Sequence, residues 1–252
     1  MTLTALTSEL RGVLSSHSEG RTLAYLFGVL AGATSLLPNA TLATLGFIGF
    51  ACLTAHAFVS DVPTSETLRR ATGATPRLLA SLGLVSAILF FLAVMTLLAS
   101  GLAAFAIMSG SGFDFDAASA NPEAYDEELA KYQETPGWQL AMAVFLVALL
   151  LFLGAVARAL PFAAASIIEG RIVALEAFNW TRKQGARLLI ALAILTGPAI
   201  GLAAWARFSL SAGIGAFVQA LAVTLGLIAW IALSAASYRL LRRGEHEFSP
   251  TD

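Results

Sequence analysis

Few residues of this chain are equipped for chemistry, and their spacing limits what each could do. Cys52 and His56 stand four apart, so on a helix they share a face and offer two ligands to a metal ion. Zinc asks for further cysteine or histidine, and the other histidines, His17 and His246, lie near the two ends of the 252-residue sequence. A packed thiol and an interfacial imidazole are therefore expected, with no metal and no cofactor. Glu169 and Glu176 lie in a polar stretch between apolar runs, where a carboxylate could act as acid or base on a phospholipid at a membrane face. No suitable nucleophile stands beside them. A third group is acidic: Asp114, Asp116, Glu123, Asp126, Glu127, Glu128 and Glu134 share one connection with a single lysine, Lys131. Asp114 and Asp116 could hold a divalent cation, but the pattern lacks the glycine and glutamate of a calcium loop and reads as a solvated acidic face.

The fourth group is basic and interleaved with aromatics. Arg69, Arg70 and Arg77 occupy one polar connection; Arg171, Arg182, Lys183 and Arg187 occupy another, beside Phe178 and Trp180. Each cation near an anionic membrane surface is worth about 1 kcal/mol, so such a cluster, if it converges, holds anionic lipid headgroups. These seven residues and Trp180 are the candidate binding site. The alternative is that the charges only set topology.

The elements that position these groups are membrane helices. Hydrophobic residues make up 58% of the sequence and charged ones only 12%, with a mean hydropathy of +0.78, which excludes a soluble domain. Six apolar segments, at about 22–37, 40–60, 77–107, 138–158, 188–206 and 213–238, meet or approach the roughly 20 residues that cross about 30 Å of hydrocarbon. They are apolar on all sides, so helices rather than barrel strands satisfy their backbones. The fold class is all-α: a single integral membrane domain over 1–252, a polytopic bundle of about six spans. The first span rises only about 24 Å and needs a thinned bilayer, its flanks or a tight pair with the second; the third, at about 45 Å, is expected to tilt or to project beyond the membrane, with a bend near Ser100 and Gly101. Thr75-Pro76 and Thr135-Pro136 read as capped helix starts, Asn121-Pro122 as the start of a short loop helix with Tyr125, Leu129 and Tyr132 on one face, and Pro161 as a stop after the fourth span. Pro198 predicts a kink inside the fifth span. Gly28/Gly32 and Gly197/Gly201 have the spacing of close helix contacts.

Orientation follows from charge. Of the 15 Lys and Arg residues, all but Lys131 and Arg207 fall on one side: Arg11, Arg21 and Arg158 with the candidate cluster, and Arg239, Arg242 and Arg243 after the last span. The positive-inside rule makes that side cytoplasmic, with both termini inside and the acidic connection 109–137 outside, in a cell (inner) membrane. Ala31-Gly32-Ala33 has the look of a signal-peptide cleavage site, but the long acidic leader before it favours an uncleaved first span. A weak repeat at an offset of 110 residues, Glu66 with Arg77-Leu78-Leu79 and Glu176 with Arg187-Leu188-Leu189, suggests a parallel internal duplication in which spans two and three correspond to spans four and five.

The run Glu176-Ala177-Phe178-Asn179-Trp180-Thr181-Arg182-Lys183-Gln184-Gly185, followed by Arg187-Leu188-Leu189, resembles a segment of the membrane domain of glycerophosphoryl diester phosphodiesterases and of related uncharacterised bacterial membrane proteins. Tyr238-Arg239-Leu240-Leu241-Arg242 is similar to that family's closing tyrosine and basic residues. The resemblance implies about six helices, and no catalytic domain is expected here. The spacing from Gly185 to the next span is shorter than in that family.

The predicted span cores lack Asp, Glu, Lys and Arg, the usual mark of proton relays and ion paths. The expected function is a non-catalytic membrane scaffold or accessory protein whose partners are lipids, anionic ones included, with protein partners or copies of itself; nothing points to nucleic acid. The alternative is a small-molecule or lipid transporter, which a polar cavity would favour. Carboxylates converging in a cytoplasmic cleft would favour an enzyme.

Overall fold

The computed structural model describes residues 2–15, 19–59, 64–119 and 122–247, and among them every regular element is helical. In chain order these are α1 (Leu3–Ser15), α2 (Glu19–Ala33) with a 3-10 turn at Thr34–Leu36, α3 (Ala40–Val59), α4 (Thr64–Gly110), α5 (Phe115–Ala118), α6 (Pro122–Gln133), α7 (Pro136–Ala159), α8 (Phe162–Glu169), α9 (Ala174–Trp180), α10 (Gly185–Ser209) and α11 (Ala212–Glu247). Five segments are long and apolar enough to cross a membrane: Ala40–Val59, Thr75–Gly110, Pro136–Glu169, Gly185–Ser209 and Gly213–Arg242. The chain is an all-helical, multi-pass integral membrane protein. The expected first span is α2, whose 15 residues rise only about 22 Å.

Local chemistry explains most boundaries. The Asn39 side chain accepts from the amides of Thr41 and Leu42 at 3.0 and 3.1 Å and so caps α3. Asp114 does the same for α5. Pro136 and Pro122 each take the first position of a helix. The Thr135 hydroxyl does not cap α7 as expected; it donates to the Tyr132 carbonyl at 2.7 Å, at the end of α6. Pro161 separates α7 from α8, and Gly170, at φ +63°, ends α8 in the left-handed conformation that costs glycine nothing.

Thr75-Pro76 is a correction, because Pro76 lies inside α4 rather than at its start. A proline deprives a helix of one hydrogen bond, and a helix of 47 residues continues past that loss. That helix also runs on through Ser100 and Gly101, with the Ser100 hydroxyl turned back onto the Leu97 carbonyl. Pro198 likewise lies inside α10.

The chain forms two compact units, Met1–Val85 with Ala157–Asp252, and Ser86–Val156. In the first, α11 is the hub: α1, α2, α3, α8 and α10 all pack on it. The contact surfaces are made of small residues. A Cβ on Gly32 would fall 1.9 Å from the Thr224 hydroxyl oxygen and 2.6 Å from the Ala220 carbonyl oxygen, and one on Gly28 would fall 2.8 Å from Ile228, so α2 reaches α11 only because both positions are glycine. The other expected pair is a correction: Gly197 and Gly201 meet nothing within 4 Å. Buried hydroxyls bond locally or across helices, as Ser166 does to Ser81 at 2.8 Å between α8 and α4.

The second unit contains the C-terminal part of α4, then α5, α6 and most of α7. Its buried core is Phe113, Ala118 and Tyr132, with Met108, Phe115 and Trp138 against them, so the short helices pack on the end of α4 and the start of α7. Tyr132 is buried as the turning face predicted, whereas Tyr125 touches Phe113 only at its rim and is half exposed.

Candidate functional site

Two features of the first unit concern function: a polar cluster at its basic end and an apolar cavity inside it.

The cluster is built where α8, α9 and α11 meet. Gly170 ends α8 immediately after Glu169, whose side chain is only 8% exposed and takes three partners. Arg242 pairs with it at 3.0 Å, Arg171 at 2.7 Å, and the Tyr238 hydroxyl donates to it at 3.0 Å. Arg171 reaches on to Glu176 through both guanidinium nitrogens, at 2.5 and 2.7 Å, a bidentate geometry that carboxylates and guanidinium share. This hydrogen bonding holds the Glu176 carboxyl below the usual carboxylate range and pushes the Arg171 guanidinium up. Trp180 lies against Tyr238 with ring centroids 6.1 Å apart, and Arg242 stands over the Trp180 ring at 5.8 Å. Both carboxylates are thus engaged by arginine guanidinium groups.

The α7–α10 connection is tied down separately. Arg158 donates to the Phe178 carbonyl at 2.6 Å, and the buried Thr181 hydroxyl donates to the Arg158 carbonyl at 2.8 Å. Beyond this knot Arg182, Lys183 and Arg187 are exposed, with Arg187 hydrogen-bonded to Gln184 at 3.3 Å. No carboxylate among the described residues pairs with Arg182 or Lys183. Arg77 is exposed on α4 near Gly170, where a Cβ would lie 3.3 Å from a guanidinium nitrogen. The side chains of Arg69, Arg70 and Arg243 lie outside the described ones, as does that of Glu66.

Of the predicted lipid contacts, then, Arg171 is committed to carboxylates and Trp180 to Tyr238 and Arg242, while Arg182, Lys183, Arg187 and Arg77 face outward. Sequence reasoning missed Glu169 as the hub. The signal was the rarity of a carboxylate at the end of an apolar helix, where it needs a cation. In the repeat, Arg77 lies inside α4 and Arg187 in the first turn of α10, yet each is the third residue of its apolar span, Thr75–Gly110 and Gly185–Ser209.

The cavity measures about 410 Å³ and is walled by α3, α4, α8, α10 and α11. Its lining includes Phe47, Leu82, Phe162, Ala199 and Trp230, and its only heteroatom-bearing side chains are those of Cys52, Thr196 and Trp230. The Thr196 hydroxyl is turned back to the Leu192 carbonyl at 2.8 Å. Cys52 is buried, as is His56, and no group of three metal-ligating side chains converges among the described residues. Thr196, Ala199, Ile200 and Ala203 put the cavity beside Pro198 on α10. Neither the cavity nor its walls were visible in sequence, because five separated segments make it.

No family model, no curated protein and no solved structure matches this chain.

Proposed function

We propose that this protein is a non-catalytic membrane protein that gathers anionic lipid at its basic face, as a scaffold or accessory component. The carrying observation is the division of labour among its charges. Glu169 and Glu176, the carboxylates best located for chemistry, are held by Arg171 and Arg242, while Arg182 and Lys183, two and three residues after Trp180, stay exposed. Exposed cations flanked by an interfacial aromatic attract anionic headgroups, at about 1 kcal/mol each. Under the same reading this face and both termini are cytoplasmic, in a bacterial inner membrane. The resemblance to the phosphodiesterase-linked membrane domain accords with it: Glu176, Trp180 and Tyr238, which carry that resemblance, all belong to one polar cluster.

Retention of phosphatidylglycerol or cardiolipin by purified protein tests the proposal, comparing wild type with Arg182→Gln, Lys183→Gln and Arg187→Gln combined. Retention by the variant is expected to fall at least tenfold at low salt, and wild-type retention to fall as salt rises. Equal retention by a folded variant leaves these residues as topology signals. The cavity beside Pro198 favours a second reading, a transporter; its apolar walls suit a lipid-like cargo and no ion. Phospholipid flux across proteoliposomes containing the protein, absent from protein-free vesicles, would favour that reading over the scaffold.

A further inference from the structure

We infer that the cavity is the seat of one acyl chain of an anionic phospholipid whose phosphate is held by Arg77. This deepens the lipid-binding proposal and rests on it. The first argument is the cavity's surroundings. All five of its walls belong to segments apolar and long enough to cross a membrane. A space of about 410 Å³ between such helices is filled from the hydrocarbon around it, since its walls offer water almost no hydrogen-bonding partner. The size also falls within the range of specific ligand pockets, far above that of a packing defect.

The second argument is charge complementarity at one end. On α4 the cavity wall is Leu78 and Leu82, one helical turn apart. Arg77 precedes Leu78 in the chain and is exposed. Among the described residues its guanidinium has neither a hydrogen bond nor an ion pair, unlike Arg171 and Arg242 in the same unit. It lies over Gly170, at the end of α8, whose first turn supplies Phe162 and Ala163 to the cavity. A basic group thus adjoins Leu78 in the α4 wall of the cavity and stands at the far, polar end of α8. A phospholipid has the same layout, an anionic phosphate joined to a hydrocarbon chain. Arg77 is also separate from Arg182 and Lys183, which lie between α9 and α10, and from Arg187 in the first turn of α10.

The test uses the full chain in vesicles containing phosphatidylglycerol with a photoactivatable group in one acyl chain, and crosslinks are mapped by mass spectrometry. Wild type is expected to give crosslinks concentrated in peptides bearing Ala51, Cys52 and Ala222–Ile231. Filling the cavity with Ala203→Phe is expected to reduce those crosslinks at least fivefold, and Arg77→Gln to reduce them severalfold. A phosphatidylcholine probe should label these peptides several times less than phosphatidylglycerol. Ala203 is only half buried, and Ala51→Phe provides a second way to fill the space if the first variant does not fold. Labelling spread evenly over the lipid-exposed surfaces of α4 and α7, or unchanged by either filling variant, overturns the inference. So does equal labelling by the two lipids with no effect of Arg77→Gln. If the cavity labelling fails while the triple glutamine variant still loses bound lipid, only this inference falls; if both fail, the lipid-binding proposal falls with it.

Discussion

Both compact units leave large apolar side chains uncovered, Phe208 of the first at 84%, and differ in what closes them. In the unit of Met1–Val85 and Ala157–Asp252 the inaccessible side chains are mostly small, among them Ala24, Ala31, Ala164, Ala165, Ala232, Ala236 and Ser237. In the unit of Ser86–Val156 the long helices leave their large side chains uncovered: Phe90 is 72% exposed, Leu102 and Leu151 70% each. In water this arrangement would be inverted. In a bilayer a leucine gains nothing by leaving lipid for protein, so helices associate where small residues allow close approach and where hydrogen bonds are made. The first unit has such places, at Gly32 against Thr224 and at Ser166 against Ser81, and the second concentrates its packing in the aromatic cap around Tyr132.

Substitution at two glycines gives the largest contrast. Gly32→Leu forces α2 off α11, where part of the obstruction is backbone, and is expected to cost at least about 2 kcal/mol, read as a melting temperature in detergent lower by roughly 4–8 °C. Gly154→Leu on α7 meets open space and is expected to stay within about 0.5 kcal/mol. Equal losses would erase the distinction between the units.

A carboxylate comparison sharpens it. Glu169→Gln strips the charge from a nearly buried acceptor shared by Arg171, Arg242 and Tyr238, and a loss of about 1–2 kcal/mol is expected because both arginines remain partly in solvent. Glu128→Gln in the second unit removes a partner from Lys131, which is 69% exposed, and should change chemical denaturation by no more than a few tenths of a kcal/mol.

Acid separates wild type from Glu176→Gln in a defined direction. Arg171 holds the Glu176 pKa below its ordinary value, so its contribution is complete above the unfolded pKa of about 4.3 and is lost as pH falls through the depressed folded value. Melting curves should show wild type ahead at neutral pH and the gap closing only in strong acid. A gap that grows on acidification contradicts the pairing.

The smallest effect is expected of Tyr132→Phe, because among the described residues the buried Tyr132 hydroxyl has no hydrogen-bond partner. The variant should be neutral or slightly stabilising in thermal unfolding, since the ring keeps its place in the aromatic cap.

Sequence reasoning reached what is local and periodic. Helix starts at Pro122 and Pro136 and the break at Pro161 were legible because proline's missing donor acts within a single turn. Pro76 misled for a related reason: the same residue is tolerated inside a helix long enough to bear one lost bond. Glycine spacing was equally legible at both pairs, yet only Gly28 and Gly32 face a neighbour, and which face meets α11 is decided by tertiary packing. Two of the three partners of Glu169 come from 69 and 73 residues away, at Tyr238 and Arg242, and the cavity from five helices, beyond any local pattern.

Everything proposed for the basic face depends on the bilayer as solvent and on which side that face lies, and single-cysteine labelling in intact cells reads both. In a Cys52→Ala background, Asp126→Cys is expected to react with a membrane-impermeant maleimide from outside. Arg182→Cys should react only after permeabilisation, as should the exposed Lys183→Cys. Labelling of positions 182 and 183 in intact cells while 126 stays protected would reverse the orientation, and labelling of all three without permeabilisation would contradict a membrane-spanning arrangement between them.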